Sequence, residues 1–216
     1  MPTLLRGWRL IPASIVAAAI LTAIFVLTGL DWAYFVWIQG GHLFGALMAA
    51  DGFGYVFPVL LVAGLFLAAL WAPGRGYGVA GLAALIAAGL ALAVSMALKA
   101  VSGRVSPPHH TFGADLANAD NSGEFRFGFM NEAILGGWPS SHAAVAIAVA
   151  VALVAALPGA RILHMISFVL AVFIGVGVTF GFHWLSEFFS GALVGASIGI
   201  WAGGAAAARI AQLFRR

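Results

Sequence analysis

The chain has 216 residues, of which 63% are hydrophobic and only 8% charged, and its mean hydropathy is +1.06. A soluble domain needs about 25% charged residues to solvate its surface, so this composition excludes that class; it also excludes a disordered chain and, with no cysteine, a disulfide scaffold. The net charge of +3 rests on too few residues for the continuous basic patch that nucleic acid requires, so no nucleic-acid partner is expected.

At roughly 20 residues per membrane-crossing helix, the sequence predicts one all-α transmembrane domain over residues 1–216, a six-helix bundle with an interfacial helix and a long outer loop. In chain order, the apolar stretches are about 10–30, 54–72, 79–101, 140–158, 162–182 and 186–208. The first follows Arg6 and Arg9, as in a signal peptide, but outruns the roughly 7–15 apolar residues such a peptide uses, so it reads as a retained helix. Residues 31–52 are interrupted by Asp31, Trp32, Trp37, His42 and Asp51, the pattern of a helix lying in the interface. The connection over about 102–138 is polar, carrying His109, His110 and the run from Asp115 to Glu124; connections of that length are functional or disordered far more often than incidental. Its apolar end, Phe125 to Leu135, is expected to dock back onto the membrane surface.

Threading six spans from a cytoplasmic N-terminus puts Arg6, Arg9, Arg75, Arg161, Arg209, Arg215 and Arg216, seven of the ten basic residues, on the inner side. All seven acids, Asp31, Asp51, Asp115, Asp120, Glu124, Glu132 and Glu187, fall outside with Lys99, Arg104 and Arg126. The positive-inside rule therefore predicts cytoplasmic termini, and the one-sided acids mark the outer face as the one with chemistry.

Three groups of residues on that face stand out. Gly191, Gly195, Gly199 and Gly203 recur every four residues, the spacing that lets a neighbouring helix approach closely. Extended backwards, the same row holds Glu187 and His183, one turn apart, where a carboxylate can fix the tautomer of an imidazole and stabilise its charged form. Gly136-Gly137-Trp138-Pro139-Ser140-Ser141-His142 precedes the fourth stretch, and a capped helix start there offers unsatisfied N–H groups to an anion, with His142 beside them as a proton donor. Lys99 ends the third stretch, with Arg104 close behind. Each element has a plain alternative: a surface ion pair, an ordinary capped helix, a lysine snorkelling to the interface.

Taken in order on one membrane face, Lys99, Pro139-Ser140-Ser141-His142, and His183 with Glu187 resemble the type-2 phosphatidic acid phosphatase superfamily, over roughly residues 55–205. The resemblance implies a membrane lipid-phosphate phosphatase or phosphotransferase, in a bacterial inner (plasma) membrane, working without metal or cofactor on a lipid phosphate or diphosphate at the periplasmic face. It implies that His183 is the nucleophile that becomes phosphorylated, Glu187 its orienting acid and His142 the general acid. Lys99, Ser140 and Ser141 would hold phosphate oxygens. The sequence departs from the family pattern at Ser106, where the first motif has arginine, and at Val176 and Gly177, where the third has Ser-Arg; Glu187 replaces Asp and Ser141 replaces Gly. Arg104 or Arg126 is the expected replacement for the absent positive charge. Two alternatives stay open: a divalent metal gathered by His109, His110, His142, His183 and Glu187, and a non-catalytic relative that binds or moves a lipid or small anion. The sequence does not fix the oligomeric state.

Overall fold

The computed structural model describes residues 7–39, 44–108, 120–131 and 137–213. It is helical: α1 (Leu10–Leu27), α2 (Leu30–Gln39), α3 (Phe44–Trp71), α4 (Tyr77–Ser102), α5 (Ser141–Ala156), α6 (Arg161–Gly177) and α7 (Leu185–Leu213), with single 3-10 turns at Pro73–Arg75 and Val178–Phe180. Among the described residues there is no strand, and Arg104 pairs with Phe125 in an isolated antiparallel bridge.

Among the described residues, five helical segments, those of α1, α3, α4, α6 continued through its following turn (Arg161–Phe180) and α7, are long and apolar enough to cross a membrane, and they mark an integral membrane protein. The sixth expected span differs. α5 has 16 residues, about 24 Å at 1.5 Å per residue, against a hydrocarbon core of ~30 Å. It stops at Ala156 because Leu157 precedes Pro158, and a residue before proline is pushed out of the helical region; Leu157 has φ −129° and ψ 64°. α5 is also the most enclosed helix, packed between α4, α6 and α7 with Ala144, Ala148, Ala152 and Leu153 wholly buried.

Residues 31–52 are not one interfacial segment. Gly29, at φ 70°, supplies the left-handed turn between α1 and α2. α2 then presents Asp31, Phe35 and Ile38 on one buried face toward α7 and the Val178–Phe180 turn. Residues 44–52 belong to α3, which runs for 28 residues through Asp51, Gly52, Gly54 and Pro58. Those residue types look like interruptions. In lipid, however, an unpaired backbone group has no water to bond, so the helix continues through them.

The glycine row of α7 lies on the backbone of α5. A Cβ at Gly191, Gly195, Gly199 or Gly203 would strike the main-chain oxygen of Ser140, Ala144, Ala148 or Ala152 respectively. Four successive turns of the two helices therefore meet without side chains between them, as the spacing predicts.

Residues 125–131 fold back along the end of α4, where Gly128 and Met130 donate N–H bonds of 3.0 and 2.7 Å to the carbonyls of Val101 and Ala100. The rest of the expected outer loop, with His109 and His110, lies outside the described residues. The ends of α4 and α6 and the starts of α5 and α7 gather at one end of the bundle. Arg75, Tyr77, Leu157, Ala160 and Ile210 line a cavity at the other.

Candidate active site

Three chain segments are fixed before any site is formed. α4 ends at Gly103, whose φ of 49° is the left-handed cap that a side chain would disfavour and whose N–H bonds the Lys99 carbonyl at 3.2 Å. That turn leaves Lys99 buried, 3.4 Å from the Ser141 hydroxyl. α5 starts on Ser140, whose hydroxyl accepts the Ala143 N–H at 3.4 Å and whose own N–H bonds the Glu187 carbonyl at 3.1 Å. Ser140 is thus the cap and the tie to α7, while Ser141 and His142 carry the first-turn N–H groups that have no partner within the helix.

His183 precedes α7 by two residues, in the loop after the Val178–Phe180 turn, rather than lying on the helix itself. Its Nδ1 is nevertheless 2.6 Å from Glu187 Oε2, with both side chains almost wholly buried. Burial pushes the His183 imidazole below its ordinary pKa; the hydrogen bond and charge of Glu187 act the other way, and the charges of Lys99 and Arg104 add to the lowering. A neutral ring held at Nδ1 presents Nε2 as its free electron pair.

The rings of His142 and His183 meet edge to face with centroids 6.2 Å apart at 61°. The two imidazoles are direct neighbours at this end of the bundle. A cavity of about 380 Å³ opens beside Lys99, Ser141 and His142. It runs between α3 and α4 past Met96 and Leu92 to Gly89, about 15 Å along α4 from Lys99. One end of the cavity is polar and the rest is apolar.

Arg104 is placed differently from expectation. It is fully buried, donating to Asp31 Oδ2 at 2.7 Å, to the Ser186 hydroxyl at 2.8 Å and to the Ser122 carbonyl at 2.6 and 3.2 Å. Its Nη1 lies 3.6 Å from Glu187 Oε1, and its plane is sandwiched by Phe125 and Trp184. The guanidinium spends its donors on protein acceptors behind the His183–Glu187 pair, so it is a backing charge and not a wall of the cavity. Arg126 is exposed, on the segment whose N–H bonds the Gly103 carbonyl, and it does not line the cavity either. Among the described residues no three His, Asp or Glu side chains are placed to share a metal ion; His109 and His110 lie outside them.

A family profile matches residues 80–210, from the first turn of α4 to the last turns of α7. The chain belongs to the PAP2 superfamily. Searches of curated proteins and of solved structures gave no match. The superfamily includes lipid phosphatases, which supports a phosphatase-type activity, a phosphoryl hydrolase at the coarse level. The matched range takes in Lys99, Ser141, His142, His183 and Glu187, the residues that meet at one end of the bundle.

The fold also accounts for one departure from the PAP2 pattern. At Gly177, where the sequence resemblance leads one to expect arginine, α3 is pressed onto the backbone, and a Cβ there would collide with Ala50. No arginine fits in that contact. Next to Ala50, Asp51 brings its Oδ1 to 3.4 Å from His142 Nε2, and Tyr55 stands edge-on to the His142 ring at 5.0 Å. Gly54, between them, has no room for a Cβ against the same ring. Asp51 and Tyr55 are site neighbours that sequence reasoning missed, as is Asp31 behind Arg104. The i, i+3, i+4, i+7 spacing of Asp51, Gly54, Tyr55 and Pro58 was the available signal that these residues share one helix face.

Proposed function

We propose that this PAP2 protein is a lipid-phosphate phosphatase or phosphotransferase that works through a phosphohistidine on His183. The observation that carries the reading is a buried, carboxylate-held imidazole with a second imidazole beside it, ring centroids 6.2 Å apart, at the polar end of one cavity. His183 Nε2 attacks phosphorus, and the bond from phosphorus to the leaving oxygen breaks as that oxygen takes a proton from His142. Water, or an acceptor hydroxyl, then attacks the phosphohistidine and returns a proton to His142. Glu187 holds the imidazolium-like charge that develops on His183 during attack. Lys99 and the first-turn N–H groups of Ser141 and His142 receive the phosphate oxygens, a helix start being suited to an anion.

The apolar cavity that leaves the polar end between α3 and α4 supports a lipid substrate, since a hydrocarbon chain fills it while the head group stays at Lys99. The positions of Arg75 and Tyr77 opposite the site, with the basic excess expected there, support cytoplasmic termini and a site on the other face.

The test is inorganic phosphate release from long-chain alkyl monophosphate and diphosphate in mixed micelles, with and without chelator. It is paired with trapping of a base-stable, acid-labile phosphoprotein by an alkaline detergent quench. Release that persists with chelator, together with a trapped species lost in His183→Gln, is the expected result. Binding of the lipids with neither release nor transfer would favour a non-catalytic relative, and loss of activity with chelator would favour the metal-dependent alternative.

A further inference from the structure

We infer that Asp51 is a positioning residue for the general acid, so that the site contains two carboxylate–imidazole pairs: Glu187 with His183 for attack, and Asp51 with His142 for proton delivery. The inference rests on the phosphatase reading and assigns a further residue to it.

The argument begins with what His142 lacks. Its side chain is largely buried, and neither ring nitrogen makes a hydrogen bond within the described residues. An imidazole in that condition has packing but no hydrogen bond to hold it or to say which nitrogen carries the proton, and both matter for an acid that must meet a leaving oxygen within a few tenths of an ångström. The groups facing it are Tyr55 and Asp51 from α3, Lys99 from α4, Ser141 beside it on α5, and His183 from the loop before α7. Of these, Lys99 is a cation and His183 becomes more positive during attack, so both oppose a proton on His142. Asp51 is the group of opposite sign, and its Oδ1 stands 3.4 Å from Nε2. That spacing is just beyond a hydrogen bond, and carboxylate–imidazole contacts commonly tighten when substrate closes the site.

The backbone is shaped to bring Asp51 there. α3 approaches α6 at Gly177, where a Cβ would strike Ala50, and it approaches α5 at Gly54, where a Cβ would strike the His142 ring. A carboxylate set one residue from the first contact and three from the second is delivered by two side-chain-free crossings. With Nε2–H engaged by Asp51, Nδ1 gives a proton only from the imidazolium form, which burial and Lys99 oppose and the Asp51 carboxylate favours; that proton passes to the leaving oxygen, and the ring is recharged from the water that cleaves the phosphohistidine.

A positioned acid matters in proportion to the basicity of the leaving group. An alkyl monophosphate expels an alkoxide, which needs the proton; the matching alkyl diphosphate expels a phosphate monoester, which needs it far less. Phosphate release from these two substrates, with the chain length held constant, is therefore compared for wild type, Asp51→Asn and Asp51→Glu, with folding checked by thermal unfolding in detergent. General acid catalysis contributes about 10²–10⁴-fold. The expected result is a kcat on the monophosphate at least tenfold lower in Asp51→Asn, a distinctly smaller fall on the diphosphate, a nearly unchanged KM and partial recovery in Asp51→Glu. Asp51→Ser carries the same expectation should Asp51→Asn fail to fold. Equal losses on both substrates, or no loss on the monophosphate, would overturn the inference and leave the phosphatase reading standing. Release from the diphosphate alone by wild type would overturn it too. Release from neither by wild type would remove the phosphatase reading and this inference together.

Discussion

Replacing Arg104 by methionine tests whether the guanidinium is a backing charge for the catalytic pair. The change strips Asp31, which is fully buried, of its cation at 2.7 Å and Glu187 of a cation at 3.6 Å. At 3.6 Å and an effective dielectric of ~20, the gross attraction to Glu187 is about 4–5 kcal/mol before desolvation. Breaking a buried pair by removing one partner costs about 3–5 kcal/mol, because a charge is left uncompensated, whereas neutralising both partners costs much less. Arg104→Met is therefore expected to lose about 3–5 kcal/mol. The double variant Asp31→Asn/Arg104→Met keeps the Ser186 contacts and is expected to recover at least about 2 kcal/mol of that loss, a coupling readable by a double-mutant cycle. Equilibrium unfolding of the purified variants in mixed micelles supplies the values. An Arg104→Met protein within about 1 kcal/mol of wild type, or a double variant as unstable as the sum of the singles, would refute the ion-network reasoning. A phosphate-contacting arginine gives the opposite pattern: little change in stability and a large rise in KM.

Glu187→Asp should retain more turnover than Glu187→Gln, since charge on the His183 partner counts for more than reach; initial rates on one lipid phosphate decide it, and the reverse order would count against an orienting carboxylate. Because burial holds His183 below its ordinary pKa, its ring is already neutral at neutral pH and gains a proton only as the pH falls past that lowered value. The acidic limb of kcat/KM attributable to the nucleophile should accordingly lie below about 6.5, the unperturbed histidine value, and a limb at or above 6.5 would contradict this. Gly195→Val places a side chain on the Ala144 carbonyl and should cost about 1–3 kcal/mol through overpacking. The same change should lower activity by shifting the start of α5, and an unaltered unfolding midpoint would show that the two helices do not meet as described.

Much of this site was readable from local pattern. The four-residue glycine row needs no partner to be recognised as a contact surface, and Ser140 before an apolar run announces a helix start. Lys99, His142, His183 and Glu187 fell together because each sits at the end of an apolar stretch, and spans that alternate in direction bring every second end to the same face. What was not readable depends on tertiary packing. Asp31 and Asp51 look like acids flanking an interfacial helix, and nothing local distinguishes them from solvated ones. Asp31 is buried because it meets Arg104, 73 residues later, and Asp51 turns toward His142 because α3 crosses α6 at a glycine. The same long-range pairing redirects Arg104, whose place two residues before Ser106 suggested a phosphate contact. The helix through Asp51, Gly54 and Pro58 was hidden for another reason: soluble-protein breaking signals lose their force where backbone groups have no water to turn to.

The seam between α5 and α7 has one more effect. Because four turns of backbone touch there, with a main-chain bond from Ser140 to Glu187 at the top, His142 and the loop that carries His183 are tied to a single stiff plate. Lys99 stands on α4, which packs against both helices of that plate, and Asp51 stands on α3, across the cavity from it. On the proposed function, a lipid substrate meets the plate as a closed flank and enters between α3 and α4, where the cavity opens. Cross-linking that second pair should starve the enzyme of long-chain substrate without disturbing the chemistry itself.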